Sequence, residues 1–200
     1  MPRERARNDE RSRIAHLAAR LMAEDGIEDY ALAKRKAARQ AGVRDTRQLP
    51  TNDEVDEALR MHQALYRPAE HRERLRVLRE RAARMMEELA RFNPYLTGSV
   101  LSGSAGKYAD INLQLYADNA KTVELYFIDN GIDYKPGQIR LFVGSEQRIA
   151  PVYTLEDETG EVQIIVLGAD DLRAPVKTSA EGRPMERAKL DAVEALLADD

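Results

Sequence analysis

The sequence predicts an α+β protein: a helical N-terminal segment, a small β-sheet, and a closing C-terminal helix. Three observations predict it. Apolar residues recur at three- and four-residue spacing through the first half of the chain. After Asn93-Pro94 the pattern switches to alternation in steps of two. The helical spacing returns at the end with Leu190, Val193 and Leu197.

The elements follow in order. Ile14, Leu17, Ala18, Leu21 and Met22 mark one face of a first helix, which Gly26 interrupts. A second helix is expected from about Asp29 to Ala41, before Gly42. Thr51 and Glu54 have the spacing of a capping box, and Val55, Ala58, Leu59, His62 and Leu65 follow on one face. Pro68 punctuates. A long helix then carries Leu75, Leu78, Ala82, Met85 and Leu89, a seam of only about two heptads and therefore expected to pack on the protein's own core. Asp110 to Leu115 alternates strictly between polar and apolar. A helix is expected from Ala120 to Asn130, stopped by Gly131. Ile139–Val143, Ile149–Leu155 and Val162–Leu167 read as strands. Gly144-Ser145 and Glu158-Thr159-Gly160 separate them, so antiparallel pairing is expected. Ala174 to Arg183 reads as loop.

Composition narrows the function classes. With 43% hydrophobic residues the 200-residue chain can bury a core, and its 33% of charged residues must largely stay solvated. No apolar run reaches membrane-spanning length. The opening MPRERARNDERSR lacks the apolar core of a signal peptide, so a cytoplasmic protein is expected. The absence of cysteine excludes disulfides, zinc-thiolate sites and a Cys nucleophile. The net charge of −4 is unevenly spread: residues 1–50 hold 12 Lys/Arg against 8 Asp/Glu, and the rest hold 19 against 27. An acidic body disfavours nucleic acid as a partner of the whole chain. His16, His62 and His71 show no metal-ligand spacing, and all lie in the helical half, away from any Ser-His-Asp arrangement.

Chemistry concentrates between Leu96 and Leu113. An apolar strand runs into Gly98-Ser99, a loop of small residues follows, and the next strand opens with Asp110 and Asn112 at i and i+2. That spacing aims both side chains at one face of the strand. A Gly-Ser turn lets a phosphate approach the backbone and offers it a hydroxyl. Two oxygen ligands beside such a cradle suit a magnesium nucleotide.

These residues resemble the polymerase-β-like nucleotidyltransferase superfamily, whose pattern is an apolar residue, Gly-Ser, a short spacer and Asp-x-Asp on a strand. The resemblance covers roughly Leu89 to Leu167. It implies a nucleotidyltransferase-type small mixed sheet, with a helical N-terminal segment over residues 1–68 and the nucleotidyltransferase-like domain over 69–200. It also implies Mg²⁺ with a nucleoside triphosphate, and transfer of a nucleoside monophosphate to an acceptor the sequence does not identify. Gly98, Ser99, Gly103 and Lys107 would hold phosphate, Asp110 and Asn112 would hold metal, and Gln163 would complete the catalytic set. The sequence departs from the pattern at Asn112, where the second carboxylate belongs. The third carboxylate position falls by pattern on Gln163, within Val162-Gln163-Ile164; Glu161 and Asp133 fit it less well. Two other readings compete. One is a degenerate member that binds a nucleotide or partner without chemistry. The other is a DNA-binding regulator, because Ile14 to Val43 resembles the helix-turn-helix end of a tetracycline-repressor-type protein, with Lys34-Arg35-Lys36 and Arg39 on its second helix.

Overall fold

The computed structural model describes residues 2–25, 27, 29–43, 49–66, 68–106, 109–157, 160–180 and 182–199, with the side chains of 2–8, 64–66, 68, 157 and 199 left aside. Gly26, Lys107 and the turn residues Glu158 and Thr159 lie outside the described residues, as does the side chain of Leu65. The architecture is α+β, with a mixed sheet, N-terminal helices and a C-terminal helix. Among the described residues no helix is long and apolar enough to cross a membrane. The chain divides into two compact units: Met1–Arg74 with Gly103–Ala109, and Leu75–Ser102 with Asp110–Asp200.

The first unit is helical. It contains α1 (Pro2–Asp25), α2 (Tyr30–Gln40), α3 (Asn52–Tyr66) and the start of α4 (Pro68–Glu88). Its core joins Ile14, Ala18, Leu21 and Met22 of α1 to Ala33 and Ala37 of α2 and Val55, Ala58 and Leu59 of α3. The starts of α2, α3 and α4 have local causes. Asp29 caps α2 by accepting from Ala31 N at 2.7 Å and Leu32 N at 3.1 Å. Thr51 and Glu54 form the expected reciprocal box: Thr51 N donates to Glu54 Oε2 at 2.7 Å, and Glu54 N donates to Thr51 Oγ1 at 3.2 Å. Pro68 opens α4, where its missing N–H costs nothing. The segment 103–109 belongs with these helices. Ser104 Oγ donates to Asp56 Oδ1 at 3.1 Å, Tyr30 donates to the same carboxylate, and Gln63 Nε2 donates to the carbonyl of Ala105 at 3.1 Å. Burial, ahead of all other causes, holds both the Asp56 carboxyl and the Tyr30 phenol above their ordinary pKa.

The second unit holds the sheet, in the order β6-β3-β4-β5-β2-β1-β7. The strands are β1 (Tyr95–Thr97), β2 (Ile111–Tyr116), β3 (Lys135–Val143), β4 (Glu146–Asp157), β5 (Gly160–Leu167), β6 (Val176–Lys177) and β7 (Arg187–Ala188). Strands β3, β4 and β5 are antiparallel neighbours, as the turn residues imply. Among the described residues the one parallel pair is β2 with β5, and it is what makes the sheet mixed. Helix α6 (Ala120–Asp129) begins on Asn119, which accepts from Lys121 N at 2.9 Å. Phe127 of α6 meets the Tyr153 ring edge-on at 5.5 Å. Tyr153 is level with Ile164, and Ile164 with Leu113, so α6 covers the face of the sheet opposite Asn112 and Gln163. A last helix, α7, spans Leu190–Asp199 and buries Val193.

Three expectations change. On α4 the buried side chain is Met86, not Met85, because the face follows the 3.6-residue period through Leu75, Leu78, Ala82, Met86 and Leu89. The loop after Gly98 opens as one helical turn, α5 (Gly98–Ser102). The stretch read as loop from Ala174 contains β6, which pairs Val176 with Val143 at the edge of the sheet.

Candidate functional site at the head of β2 and β5

Strand β1 delivers the chain to Gly98 with φ +74°, a left-handed conformation that glycine adopts without strain. A Cβ there would stand 3.3 Å from Asn112 Nδ2, so the turn lies directly against Asn112. The register explains the approach. Thr97 is opposite Asn112 in the antiparallel β1–β2 pair, and Asn112 is opposite Gln163 in the parallel β2–β5 pair. Thr97, Asn112 and Gln163 therefore rise from one face in a single row. Thr97 is fully buried and donates through Oγ1 to the carbonyl of Asn112 at 3.3 Å.

Asp110 stands one residue before β2, as Glu161 stands one before Val162, the partner of Ile111. Gln163 Nε2 donates to Asp110 Oδ2 at 3.1 Å, and Asn112 Nδ2 donates to the Asp110 carbonyl at 3.3 Å. Burial first, and then the negative charge of Glu161, push the Asp110 carboxyl above its ordinary pKa; the Gln163 hydrogen bond only partly offsets them. Glu161, the weaker sequence candidate, is thus the second carboxylate acting on Asp110. Lys135 on β3 pairs with Glu156 and also feels the charge of Glu161.

The structure gathers Gly98, Asp110, Asn112 and Gln163. Ser99 follows in the first turn of α5, half-buried, and α5 packs on β1 and β2. Gly103 falls in the helical unit, where its carbonyl meets His71 Nε2 at 3.0 Å. Lys107 lies outside the described residues, and Asp133 is exposed between α6 and β3. The charge felt by Asp110 comes from Glu161, not Asp133. Among the described residues no three His, Asp or Glu side chains form a metal-binding cluster. The donor set at Asp110 is instead two carboxylates and two amides, all with oxygen ligands.

Two buried arginines of α4 escaped the sequence reading. Arg79, 5% exposed, donates through Nε to the carbonyl of Val100 at 3.2 Å and through Nη2 to that of Leu101 at 3.4 Å. Arg81, 9% exposed, donates through Nη2 to the carbonyl of Gly160 at 3.0 Å. A signal existed: Arg79 falls in the apolar stripe of Leu75, Leu78, Ala82 and Met86, where a solvated cation would not belong.

On α2, Lys34 is half-buried and donates to Asn52 Oδ1 at 2.8 Å, and burial lowers its pKa. Arg35, Lys36 and Arg39 are exposed. The Lys-Arg-Lys run thus splits, with Lys34 tied to the start of α3. No family model, curated protein or solved structure matches this chain, and its functional reading rests on these residues.

Proposed function

We propose that the protein binds a nucleoside triphosphate with magnesium at Gly98, Ser99, Asp110, Asn112, Glu161 and Gln163, and transfers a nucleoside monophosphate to an acceptor. The observation that carries this reading is the convergence of three segments: the Gly-Ser turn against Asn112, the head of β2, and the head of β5. The donors fit one hard divalent cation. Asp110 and Glu161 repel one another when both are ionised, a cost that a cation between them relieves. Asn112 and Gln163 bring amide oxygens, which ligate such cations without adding charge.

In this reading the Gly98 backbone lets phosphate oxygens approach the chain, and the Ser99 hydroxyl donates to one of them. Gln163 and Asn112 hold Asp110 through its side chain and its carbonyl, so that its free oxygen keeps a fixed direction. Bound magnesium would draw charge from the phosphates and favour departure of pyrophosphate. Asp110 and Glu161 together supply the negative charge that Asn112 and Gln163, as amides, cannot.

One observation favours a second reading, nucleotide binding without turnover. Gln163 turns its N–H group to the Asp110 carboxylate and Asn112 turns its own to the Asp110 backbone carbonyl, an arrangement that holds one carboxylate in place rather than a pair of cations. Incubating the chain with magnesium and each of the four ribonucleoside triphosphates, alone and with protein, nucleic-acid and small-molecule acceptors, and measuring both binding and released pyrophosphate, separates the two. Pyrophosphate that disappears in Asp110→Asn supports transfer. Binding with no pyrophosphate supports the second reading, and no binding removes both.

A further inference from the structure

We infer that Arg79 and Arg81 are positioning residues for the nucleotide site, each holding one of its backbone segments from α4. This rests on the reading proposed above. Both guanidiniums are buried and both donate to backbone carbonyls. Arg79 reaches Val100 and Leu101, in the turn opened by Gly98 and Ser99. Arg81 reaches Gly160, whose next residue is Glu161 and whose strand carries Gln163. A five-residue helix has no room to satisfy its last carbonyls internally, so the forked donors of Arg79 take that role and fix where the turn ends. Gly160 has φ +123°, and its carbonyl direction is set by the same Arg81 contact that holds the start of β5. The arginines are two residues apart on one helix, so a single rigid element sets the phosphate turn and the carboxylate strand in register. Neither arginine is placed to touch the nucleotide; each acts through the backbone it holds.

A cation with one donor centre cannot reproduce the two bonds of Arg79, and a lysine at position 81 falls short of the terminal nitrogen that reaches Gly160, so Arg→Lys keeps the charge while loosening the carbonyls. The test uses the full chain as parent, Arg79→Lys and Arg81→Lys, with Arg79→Met and Arg81→Met as second variants should a lysine fail to fold. Amide hydrogen exchange is read by segment. Binding is measured with manganese alone and with magnesium plus each of the four ribonucleoside triphosphates.

The expected pattern is crossed. Arg79→Lys speeds exchange in residues 98–102 only, weakens triphosphate binding by about tenfold, and leaves manganese binding unchanged. Arg81→Lys speeds exchange in residues 160–163 only and weakens manganese binding itself. A parent that binds and variants that exchange faster throughout, with equal losses for both ligands, would make the arginines general supports of the fold and overturn the inference. A parent that binds no triphosphate overturns the nucleotide reading and this role with it. The exchange data would still show whether each anchor is local, so the two failures are distinguishable.

Discussion

Gly98 shows how narrowly a residue is constrained where backbone and side chain meet. Its φ of +74° and the 3.3 Å approach of Asn112 to its missing Cβ act together. Gly98→Ala is expected to cost about 1–3 kcal/mol, because a left-handed non-glycine is strained and the new methyl crowds an amide. Urea denaturation checks this, and an unchanged midpoint would show that the turn is not held as described. Asp110 carries a pH dependence with a definite sign. Its pKa is raised in the folded protein, so between the ordinary carboxyl value and the raised one the folded state holds the proton more tightly. Stability from this group is therefore lost as pH rises through that window. Asp110→Asn should melt higher than the parent at neutral pH without metal, and the advantage should vanish below the ordinary carboxylate range. A constant gap at all pH values would contradict the burial and Glu161 repulsion assigned to this carboxyl. Asn112→Asp works the other way. It adds a third negative charge beside Asp110 and Glu161 and removes the donation to the Asp110 carbonyl. The variant should melt lower without metal and gain more from magnesium than the parent does. Equal magnesium shifts would mean that position 112 does not face a cation.

At the scale of elements, local chemistry written in the sequence set most boundaries. The Thr51–Glu54 box is intact, and Thr51→Ala should cost about 1 kcal/mol, measured as a lowered denaturation midpoint with faster exchange confined to the first turn of α3. Loss spread through the whole helix would point to a different role for Thr51. Strands β1 to β5 were legible because a two-residue period with turn residues between leaves little choice, and the pairing of Asn112 with Gln163 follows once β2 and β5 lie parallel. What was not legible depends on distant partners. Strand β6 is two residues long and exists through its pairing with the edge of β3, which no local pattern records. The burial of Arg79 and Arg81 follows from carbonyls 21 and 79 residues further along the chain. Glu161 read as the weaker candidate because its preceding neighbour, Gly160, breaks the apolar-polar-apolar triplet, yet the parallel register sets it level with Asp110.

At the scale of the molecule, two units share one chain, and the candidate site's carboxylates, amides and Gly-Ser turn all fall in the second. Between α5 and Asp110 the chain belongs to the first, where Ser104 bonds to Asp56 and the carbonyl of Ala105 accepts from Gln63. In the proposed function Asp110, Asn112, Glu161, Gln163 and the Gly-Ser turn hold a magnesium nucleotide. The most direct test is thermal melting of the full chain with magnesium and each of the four ribonucleoside triphosphates, beside Ser99→Ala and Asp110→Asn. Ligand present at a hundred times its dissociation constant stabilises the folded state by about 2.7 kcal/mol, a shift that melting resolves. A magnesium-dependent rise is expected for at least one triphosphate in the parent, reduced in Ser99→Ala and abolished in Asp110→Asn. No rise with any triphosphate, or an equal rise in all three proteins, would contradict it.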